Sequence, residues 1–561
     1  MPRLSTTLAI FILPILLAAC QNNSRTAPAE TLPERPNILF IMVDDLNDYL
    51  GTFGGHPQTH TPNIDSLAAS GMQFSNAHTN VPVCAPARNS LFTGVYPHES
   101  RDFGWTPLKK QASLKHNRTI LELFHDAGYQ TLGTGKLLHE NNKDHWGEWG
   151  VPERINYGPH AWDGNSIVGH PSVPEPFRSI NNVDGSFAPL SDVPQFDTEG
   201  SVKHAPGWGY PSGPYRYISE DDRDRLPDEQ HAIWAAERIA ELGQAEPGMP
   251  FFMGVGFVRP HTPLYAPKRF YDMFPLDEIQ LPEILPGDID DTAFKANYPM
   301  TQMGLHYFQA LRESYEDDEE GLRKVIQAYL ACIAFVDEQV GMVLGALDQS
   351  SLHDNTIVVF TSDHGWNFGE KDYLYKNSPW EESTRIPLLV RIPGYTVPGS
   401  TSDQPVSLID LFPTFRELAN LQGEHKKAPE GGDIGGHSLV PLLRGETSED
   451  WQGPDGVLTV MGAGINEPIE GLAVSINPQA LWHMRILEAL PDSHVWQQTY
   501  SLRTHDWRYI RYGGGQEELY DHRNDPYEWH NLADSHDHAS IKASLQQQMV
   551  DVVGLPLPES K

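Results

Sequence analysis

The stretch Asn37-Ile-Leu-Phe-Ile-Met-Val43, followed directly by Asp44-Asp45, decides the fold of this chain. A short, continuous apolar run of this kind is typical of a strand that is buried on both faces of a sheet. Similar runs recur further along the chain, at Phe251–Phe257, Ile357–Thr361 and Leu388–Ile392. We therefore predict a sheet of buried strands that begins at Asn37.

Helical patterns lie between these strands. Apolar residues recur at helical spacing from Leu322 to Leu347, and shorter helices are predicted at Glu122–Ala127 and Glu229–Leu242. Strands that alternate with helices predict an α/β fold with a large, mostly parallel sheet flanked by helices. Because ligands bind beyond the carboxyl ends of the strands in such sheets, polar residues that directly follow a strand are candidates for the functional site.

Composition excludes several classes of protein. The chain has 561 residues, with 40 basic and 75 acidic side chains and a formal net charge of −35, which argues against a nucleic-acid partner. It has only three cysteines, Cys20, Cys84 and Cys332, so a disulfide scaffold and a multi-cysteine metal centre are excluded. Cys332 lies within the predicted long helix and is expected to be a core residue.

The N-terminus predicts export. Arg3 precedes an apolar run from Leu8 to Ala19, which is shorter than the roughly 20 residues of a membrane-spanning helix and typical of a secretory signal. Leu17-Ala18-Ala19-Cys20 resembles a bacterial lipobox, in which the cysteine is lipidated, with palmitate among its acyl chains; a plain signal peptide is the alternative. We expect a bacterial lipoprotein anchored to the outer membrane.

The chain divides into four predicted segments. They are a signal peptide (1–19), a lipidated, flexible tether (20–35), a catalytic domain (36–447) and a smaller C-terminal α+β subdomain (448–561) with strands near 457–461 and 509–512. Residues 141–225 are irregular and rich in Gly, Pro and Trp, and are either an insertion that shapes a substrate pocket or a surface loop. Their tryptophans, at positions 146, 149, 162 and 208, either stack on sugar rings or pack in the fold.

Carboxylates and one imidazole follow two of the predicted strands. Asp44 and Asp45 follow the opening strand, and Asp363 and His364 follow the run at 357–361. Adjacent carboxylates repel one another unless a cation lies between them, and mostly oxygen ligands favour Ca²⁺ or Mg²⁺ over Zn²⁺. Taken alone, Asp44-Asp45 is alternatively a helix N-cap or an exposed turn, and Asp363-His364-Gly365 is alternatively only a turn.

The most specific motif of the chain is Cys84-Ala-Pro-Ala-Arg88, followed by Ser90-Leu-Phe-Thr-Gly94. By its chemistry alone, a cysteine near an arginine is either an activated thiolate or an inert buried thiol. Cys-x-Pro-x-Arg in this setting resembles the signature of the formylglycine-dependent (type I) sulfatases. In that family the cysteine is oxidised to an aldehyde, which hydrates to a diol. One hydroxyl attacks the sulfur and the other later expels the sulfate.

Further motifs extend the resemblance over most of the chain. They are, in order, Pro36-Asn37-Ile38-Leu39 with Asp44-Asp45, Thr61-Pro62-Asn63-Ile64-Asp65, Thr134-Gly135-Lys136 with His139, Arg259-Pro260-His261-Thr262-Pro263, Ser362-Asp363-His364-Gly365 with Lys376, and Glu518-Leu519-Tyr520-Asp521 with Asn524-Asp525-Pro526. Asp-His-Gly in place of the Asp-Asn-Gly of many members, and Tyr500-Ser501-x-Arg503-Thr504, are most similar to iduronate-2-sulfatases and their bacterial polysaccharide-degrading relatives.

The resemblance implies a fold and a set of roles. The fold is that of the alkaline-phosphatase-like hydrolases. Asp44, Asp45, Asp363 and His364 would bind one Ca²⁺ together with the formylglycine made from Cys84. Arg88 would hold the formylglycine, Lys136 and Lys376 would bind sulfate oxygens, His261 would protonate the leaving alcohol, and His139 would act as base in the release step. Arg503 faces either the substrate or the C-terminal subdomain.

The implied function is hydrolysis of sulfate esters on a polysaccharide or its oligosaccharides, of the ulvan, carrageenan, fucoidan or glycosaminoglycan type, including a 2-sulfated uronate. The implied partners are this carbohydrate, a formylglycine-generating enzyme and the lipoprotein processing and sorting machinery. Two alternatives stay open: a phosphoester or phosphonate hydrolase of the same superfamily, and a surface lipoprotein that binds glycans without catalysis.

Overall fold

A computed structural model describes residue 32 and residues 34–104, 106–139, 142–151, 157–198, 200–245, 248–298, 303–444, 451–462 and 492–558. The predicted signal peptide, Cys20 and most of the tether lie outside these residues, as do parts of the irregular segment and of the predicted C-terminal subdomain.

A nine-stranded sheet forms the centre of the described part of the chain. The order across it is Ser400–Ser402, Met72–His78, Arg385–Arg391, Thr356–Ser362, Asn37–Val43, Phe251–Phe257, Gln130–Gly135 and Glu148–Trp149, and the ninth strand, Val406–Ser407, pairs with Met72–His78. Its opening strand, Asn37–Val43, is central and pairs in parallel on both sides, with Val43 opposite both Phe257 and Ser362. The expected mostly parallel sheet is confirmed.

One strand of this sheet runs against the others. Arg385–Arg391 is antiparallel to both of its neighbours, and it begins three residues before the predicted run at Leu388. Its direction follows from the connection, because residues 363–384 contain only short strands and single helical turns. Without a helix to cross the sheet, the chain turns back beside the strand it has just left.

Side chains of the opening strand alternate between two apolar layers. Leu39, Ile41 and Val43 pack into one cluster of buried residues, and Ile38 and Phe40, with Met42, pack into a second on the other face. The α-helices are Pro62–Ser70, Cys84–Thr93, Pro97–Ser100, Ile120–Asp126, Pro227–Gln244, Lys268–Tyr271, Phe294–Asn297, Met303–Glu313, Asp318–Asp348, Glu381–Thr384, Leu411–Leu418, Val440–Leu443 and Ala539–Val553.

The longest of these helices, Asp318–Asp348, covers one face of the sheet. It is long and apolar enough to cross a membrane by length and composition, but 72% of its most apolar window is buried inside the protein. It packs against the helices Pro227–Gln244 and Pro62–Ser70. Cys332 is fully buried within it, as predicted, so the helix is a core element of the α/β layer.

A second, antiparallel sheet lies in the C-terminal part. Its strands are Gly456–Met461, Thr499–Thr504, Trp507–Arg511 and Glu517–Asp521. The helix Ala539–Val553 packs on this sheet through Leu545 and Met549. Another apolar cluster joins Tyr512 and Tyr520 of this region to Tyr373 and Trp380 of the preceding part. Sheet and helix together give the expected α+β character.

The irregular segment is built of short strands around buried aromatic residues. Its short strands outside the central sheet are His160–Trp162, Ile167–Val168, Phe187–Pro189, Gly207–Tyr210, Gly213–Pro214, Tyr217–Ser219 and Asp222–Arg223. Three further short strands lie later in the chain, at Leu264–Ala266, Asn367–Phe368 and Leu374–Tyr375. Trp162 and Trp208 are each 2% exposed and Trp146 is 7% exposed, so these three rings pack in the fold and are not available to stack on a sugar.

Candidate active site

The predicted site residues meet at the carboxyl edge of the central sheet. Asp44 and Asp45 follow the opening strand, Lys136 follows Gln130–Gly135, and Asp363 and His364 follow Thr356–Ser362. Because these three strands are parallel, residues far apart in sequence are brought to one point. Cys84 reaches the same point as the first residue of the helix Cys84–Thr93, and all ten residues of that helix are buried.

Candidate metal ligands lie close together at this edge. The ligand atoms of Asp45, Cys84, Asp363 and His364 all lie within 4.8 Å of one another, and those of Asp44, Asp45, Cys84 and His261 form an overlapping group. The Nε2 atom of His364 is 3.3 Å from Oδ1 of Asp45 and 3.2 Å from the sulfur of Cys84. Every member of the predicted ligand set is completely buried.

Three cations neutralise the three carboxylates. Lys136 forms an ion pair with Asp44, and the ammonium of Lys376 lies 2.9 Å from both carboxylate oxygens of Asp45. Burial raises the pKa of Asp45 to about 6, and Lys376 opposes that rise. Charges this deeply buried are tolerated only when they are paired.

Arg88 is the structural centre of this charge network. Its Nη2 donates to Oδ1 of Asp44 and its Nε to Oδ2 of Asp363, both at 2.8 Å. Its Nη1 donates to the backbone carbonyls of Lys136 and Leu137. One planar guanidinium thus ties together the ends of three strands, a task that a lysine ammonium cannot perform.

Burial disfavours the thiolate form of Cys84. It is fully buried, and desolvation raises the pKa of its thiol far above the usual range although Lys136 and Lys376 act in the opposite direction. Its sulfur accepts from the ammonium of Lys376 at 3.2 Å. A thiol that stays protonated is a poor nucleophile, so the thiolate interpretation of the Cys-x-Pro-x-Arg motif is disfavoured.

The donor set fits a hard divalent cation. Three carboxylates and one imidazole surround the Cys84 side chain, and oxygen donors predominate, as Ca²⁺ and Mg²⁺ require. The carboxylates are already neutralised by three side-chain cations, so a bound divalent ion makes the centre net positive. That charge is suited to an anionic substrate.

Two predicted catalytic histidines lie near the candidate ligands. The Nε2 of His261 is 3.8 Å from Oδ2 of Asp45, while its Nδ1 faces the backbone carbonyl of Thr262 at 2.6 Å. The Nε2 of His139 lies 3.3 Å from the hydroxyl of Tyr157. Burial lowers the pKa of His139 to about 3, with Lys136 adding to this effect, and burial also holds the pKa of His261 well below its usual value. Both imidazoles are therefore neutral in this state.

Tyr157 was missed by the sequence analysis. Its ring lies 4.9 Å from the ammonium of Lys136 and 4.6 Å from the ring of His261, and its hydroxyl meets His139. The backbone carbonyl of Tyr157 accepts from Arg259 at 2.8 Å. It lies in the irregular segment without a recognisable motif around it, so no local signal marks it.

A separate polar cluster joins the two main sheets. Glu381, His522 and Glu528 offer ligand atoms within 4.8 Å of one another. Arg508 forms ion pairs with both glutamates, and Arg503 pairs with Glu381 at 3.1 Å and donates to Nδ1 of His522 at 3.0 Å. These arginines neutralise the cluster and link the C-terminal sheet to the helix Glu381–Thr384. Arg503 also lines a cavity together with Glu381 and His522.

Comparisons with known proteins relate the chain to one family. Residues 36–421 match the family model described as Sulfatase, and residues 481–554 match that of the C-terminal region of N-sulphoglucosamine sulphohydrolase. A sulfatase of Formosa agariphila is 29% identical over 93% of this chain and 88% of its own length. Iduronate 2-sulfatase of Mus musculus is 31% identical over 72% of this chain and 71% of its own.

The fold is also that of a solved hydrolase. The crystal structure of the phosphonate monoester hydrolase of Agrobacterium radiobacter superposes with a TM-score of 0.63 at 22% identity, covering 93% of this chain and 96% of that one. The structural likeness supports the expected alkaline-phosphatase-like architecture.

Proposed function

The chain belongs to the sulfatase family and is a sulfuric ester hydrolase, and from this premise we propose that it removes sulfate from a sulfated polysaccharide or its oligosaccharides. We further propose that it uses a formylglycine made from Cys84 and one Ca²⁺ held by Asp44, Asp45, Asp363 and His364. The observation that carries the proposal is the buried cluster in which these ligands surround the Cys84 side chain.

Formylglycine and Ca²⁺ would supply defined chemistry at this site. The hydrated aldehyde would provide an oxygen nucleophile for sulfur, and Ca²⁺ would neutralise sulfate charge as a Lewis acid. Arg88 holds Asp44 and Asp363 in place at 2.8 Å each and so fixes the positions of two metal ligands. Lys136 and Lys376 are positioned to turn from carboxylates to sulfate oxygens, as point charges that need no exact direction.

Proton transfer falls to the two histidines. His139 is neutral, as a base must be before it accepts a proton. Burial favours the neutral form of His261 as well, whereas protonation of the leaving alcohol requires its imidazolium form. An anionic sulfate ester beside His261 would raise its pKa, so His261 would take up a proton from water as the substrate binds and deliver it to the leaving alcohol oxygen.

The substrate class rests on likeness and on charge. Iduronate 2-sulfatase is among the relatives, which supports a sulfated uronate or a related sugar. The net charge of −35 repels sulfated polymers at long range, but this repulsion is screened beyond about 8 Å at physiological salt. Binding therefore depends on the local cluster of Ca²⁺ with Arg88, Lys136 and Lys376.

The location and partners of the protein are part of the same proposal. The lipobox at Cys20 supports an outer-membrane lipoprotein that depends on the lipoprotein processing and sorting machinery. Because Cys84 is fully buried after folding, a formylglycine-generating enzyme has to act on the chain before it folds.

A screen of desalted sulfated oligosaccharides tests the activity. We expect release of sulfate from at least one glycan, detected by ion chromatography, with the position of the lost group assigned by NMR. The matched control is Cys84→Ala, which keeps the fold and lacks the nucleophile. Equal sulfate release by the control, or none by the wild type on any glycan in a formylglycine-competent host, contradicts the proposal.

A second candidate is hydrolysis of phosphate or phosphonate esters, because the phosphonate monoester hydrolase shares the fold. Parallel assays on matched sulfate and phosphate monoesters and phosphonate esters decide between the two. Faster turnover of the phosphorus esters favours the second candidate. An unmodified Cys84 thiol without any turnover favours the third alternative, a lipoprotein that binds glycans.

A further inference from the structure

Asp184 is a buried carboxylate that lies outside the proposed ligand set. It belongs to the irregular segment, is 9% exposed, and faces a small, mostly apolar cavity that is also lined by Phe177, Phe187 and Trp366. A carboxylate in such surroundings requires hydrogen-bond donors. Three hydroxyls supply them.

Two of these donors are the immediate chain neighbours of predicted catalytic residues. The hydroxyl of Thr262, next to His261, donates to Oδ1 of Asp184. The hydroxyl of Tyr375, next to Lys376, donates to the same oxygen at 3.2 Å. One carboxylate oxygen thus joins the loop that carries the proposed general acid to the loop that carries a proposed sulfate-binding lysine.

The backbone at Tyr375 explains why this contact is needed. Tyr375 has a φ of 112°, which a side-chain-bearing residue rarely adopts, and Asn377 has a φ of 72°. Such conformations are unfavourable for residues with side chains and persist only where surrounding contacts hold them. Between them, Lys376 reaches both oxygens of Asp45 at 2.9 Å.

We propose that Asp184 is a positioning residue, which holds the loops of His261 and Lys376 in register with the metal ligands. The irregular segment then acts as a support for the catalytic loops and not only as a surface decoration. The roles of His261 and Lys376 in this inference rest on the proposed function.

The third hydroxyl provides a matched control. Tyr307, in the helix Met303–Glu313, donates to the other oxygen of Asp184 at 2.8 Å. Tyr307→Phe removes a buried hydrogen bond to the same carboxylate, as Tyr375→Phe and Thr262→Val do, but Tyr307 adjoins no catalytic residue. All three variants are expected to have similarly lowered thermal midpoints.

The experiment compares the steady-state kinetics of these three variants on the sulfated oligosaccharide that the wild type hydrolyses best. We expect Thr262→Val and Tyr375→Phe to lower kcat/KM by at least about tenfold, because small displacements of catalytic groups are costly. For Tyr307→Phe, the logarithm of kcat/KM should fall by less than half the amount by which it falls for the other two variants. Equal losses of kcat/KM in all three variants, or a loss of thermal stability without a loss of kcat/KM, overturn the inference.

The leaving group gives a second readout that a purely structural role does not move. An aryl sulfate departs as a stable phenolate and needs little help from His261. Thr262→Val should therefore lose more activity on the sugar sulfate than on the aryl sulfate, whereas Tyr375→Phe should affect both alike. An equal loss for Thr262→Val on both substrates contradicts the link through His261.

A crystal structure of Asp184→Ala, which removes both acceptor oxygens, compared with one of the wild type, gives a readout independent of turnover. The inference predicts displaced or disordered side chains at His261 and Lys376, while Asp363 and His364 remain in place. Unmoved loops contradict it. Failure of the wild type to hydrolyse any sulfate ester would refute the proposed function instead, and the crystal structures would still test Asp184.

Discussion

Arg88→Lys is the perturbation that probes the charge network most sharply. Arg88 is fully buried and serves four acceptors: one oxygen each of Asp44 and Asp363 and the carbonyls of Lys136 and Leu137. A lysine keeps the charge, but its three donors radiate from a single atom and cannot span two carboxylates on different strands. At least one buried acceptor therefore loses its donor.

The magnitude follows from this count. A buried acceptor without a partner costs about 1–3 kcal/mol, and more when it is charged, so we expect the free energy of unfolding of the metal-free protein to fall by about 2–4 kcal/mol. Residues that orient metal ligands alter metal affinity by roughly 10–100-fold when they are replaced. In saturating Ca²⁺ the loss of stability should grow by a further ~1.4–2.7 kcal/mol.

The assay is urea unfolding in EDTA and in Ca²⁺, together with calorimetric titration of Ca²⁺. Arg511→Lys is the matched control, because Arg511 is also buried but donates to the backbone carbonyls of Trp496 and Tyr512, away from the metal ligands. The control should lose stability with unchanged Ca²⁺ affinity. If Arg88→Lys keeps the Ca²⁺ affinity and the urea midpoint of the wild type, Arg88 does not orient the proposed metal ligands.

Substitutions of three other buried polar residues, His231, Glu381 and Tyr157, test their separate roles in stability and turnover. Burial lowers the pKa of His231 to about 4 from an unfolded value of 6.5. Between these two values the unfolded chain binds one more proton than the folded chain, so the free energy of unfolding should fall by on the order of 3 kcal/mol as the pH drops from about 6.5 to 4. His231→Gln should flatten this part of a urea-unfolding pH profile, and an unchanged slope contradicts the assignment. Glu381→Gln should lower the free energy of unfolding by about 3 kcal/mol, because it leaves Arg503 and Arg508 without a shared charge partner. The Ca²⁺ affinity measured by calorimetry should stay unchanged, and a weaker affinity would show that this cluster is coupled to the metal site. Tyr157→Phe should lower kcat about tenfold and the free energy of unfolding by only about 1 kcal/mol. The control Tyr298→Phe loses a buried hydroxyl bonded to Thr499, so it should lose the same stability without a change in kcat. Equal kcat values for both variants would exclude a role for the Tyr157 hydroxyl.

The opening strand and the clustering of the acidic pairs at its edge of the sheet were predictable because their signals are local. A continuous apolar run ending in Asp44-Asp45 carries both the burial of the strand and the position of these carboxylates. The core helix around Cys332 was predictable for the same reason, since its apolar face repeats at helical spacing. In each case, a few neighbouring residues hold the information.

Other features depend on distant partners. The direction of Arg385–Arg391 depends on its connection, and an apolar run does not specify it. The contact of Arg503 with Glu381 spans 122 positions of the sequence. Asp184 meets Thr262 across 78 positions, with no motif around it. Packing of the irregular segment creates such contacts, and only a three-dimensional structure reveals them.

In the proposed mechanism, Cys84 is not a working thiol but the precursor of the nucleophile. Mass spectrometry of the tryptic peptide that contains residue 84, from protein made in a formylglycine-competent host, is the decisive measurement. We expect the mass of the aldehyde or its hydrate, in a fraction that scales with sulfatase activity between preparations. An unmodified thiol in a preparation that hydrolyses sulfate esters at full rate would contradict it.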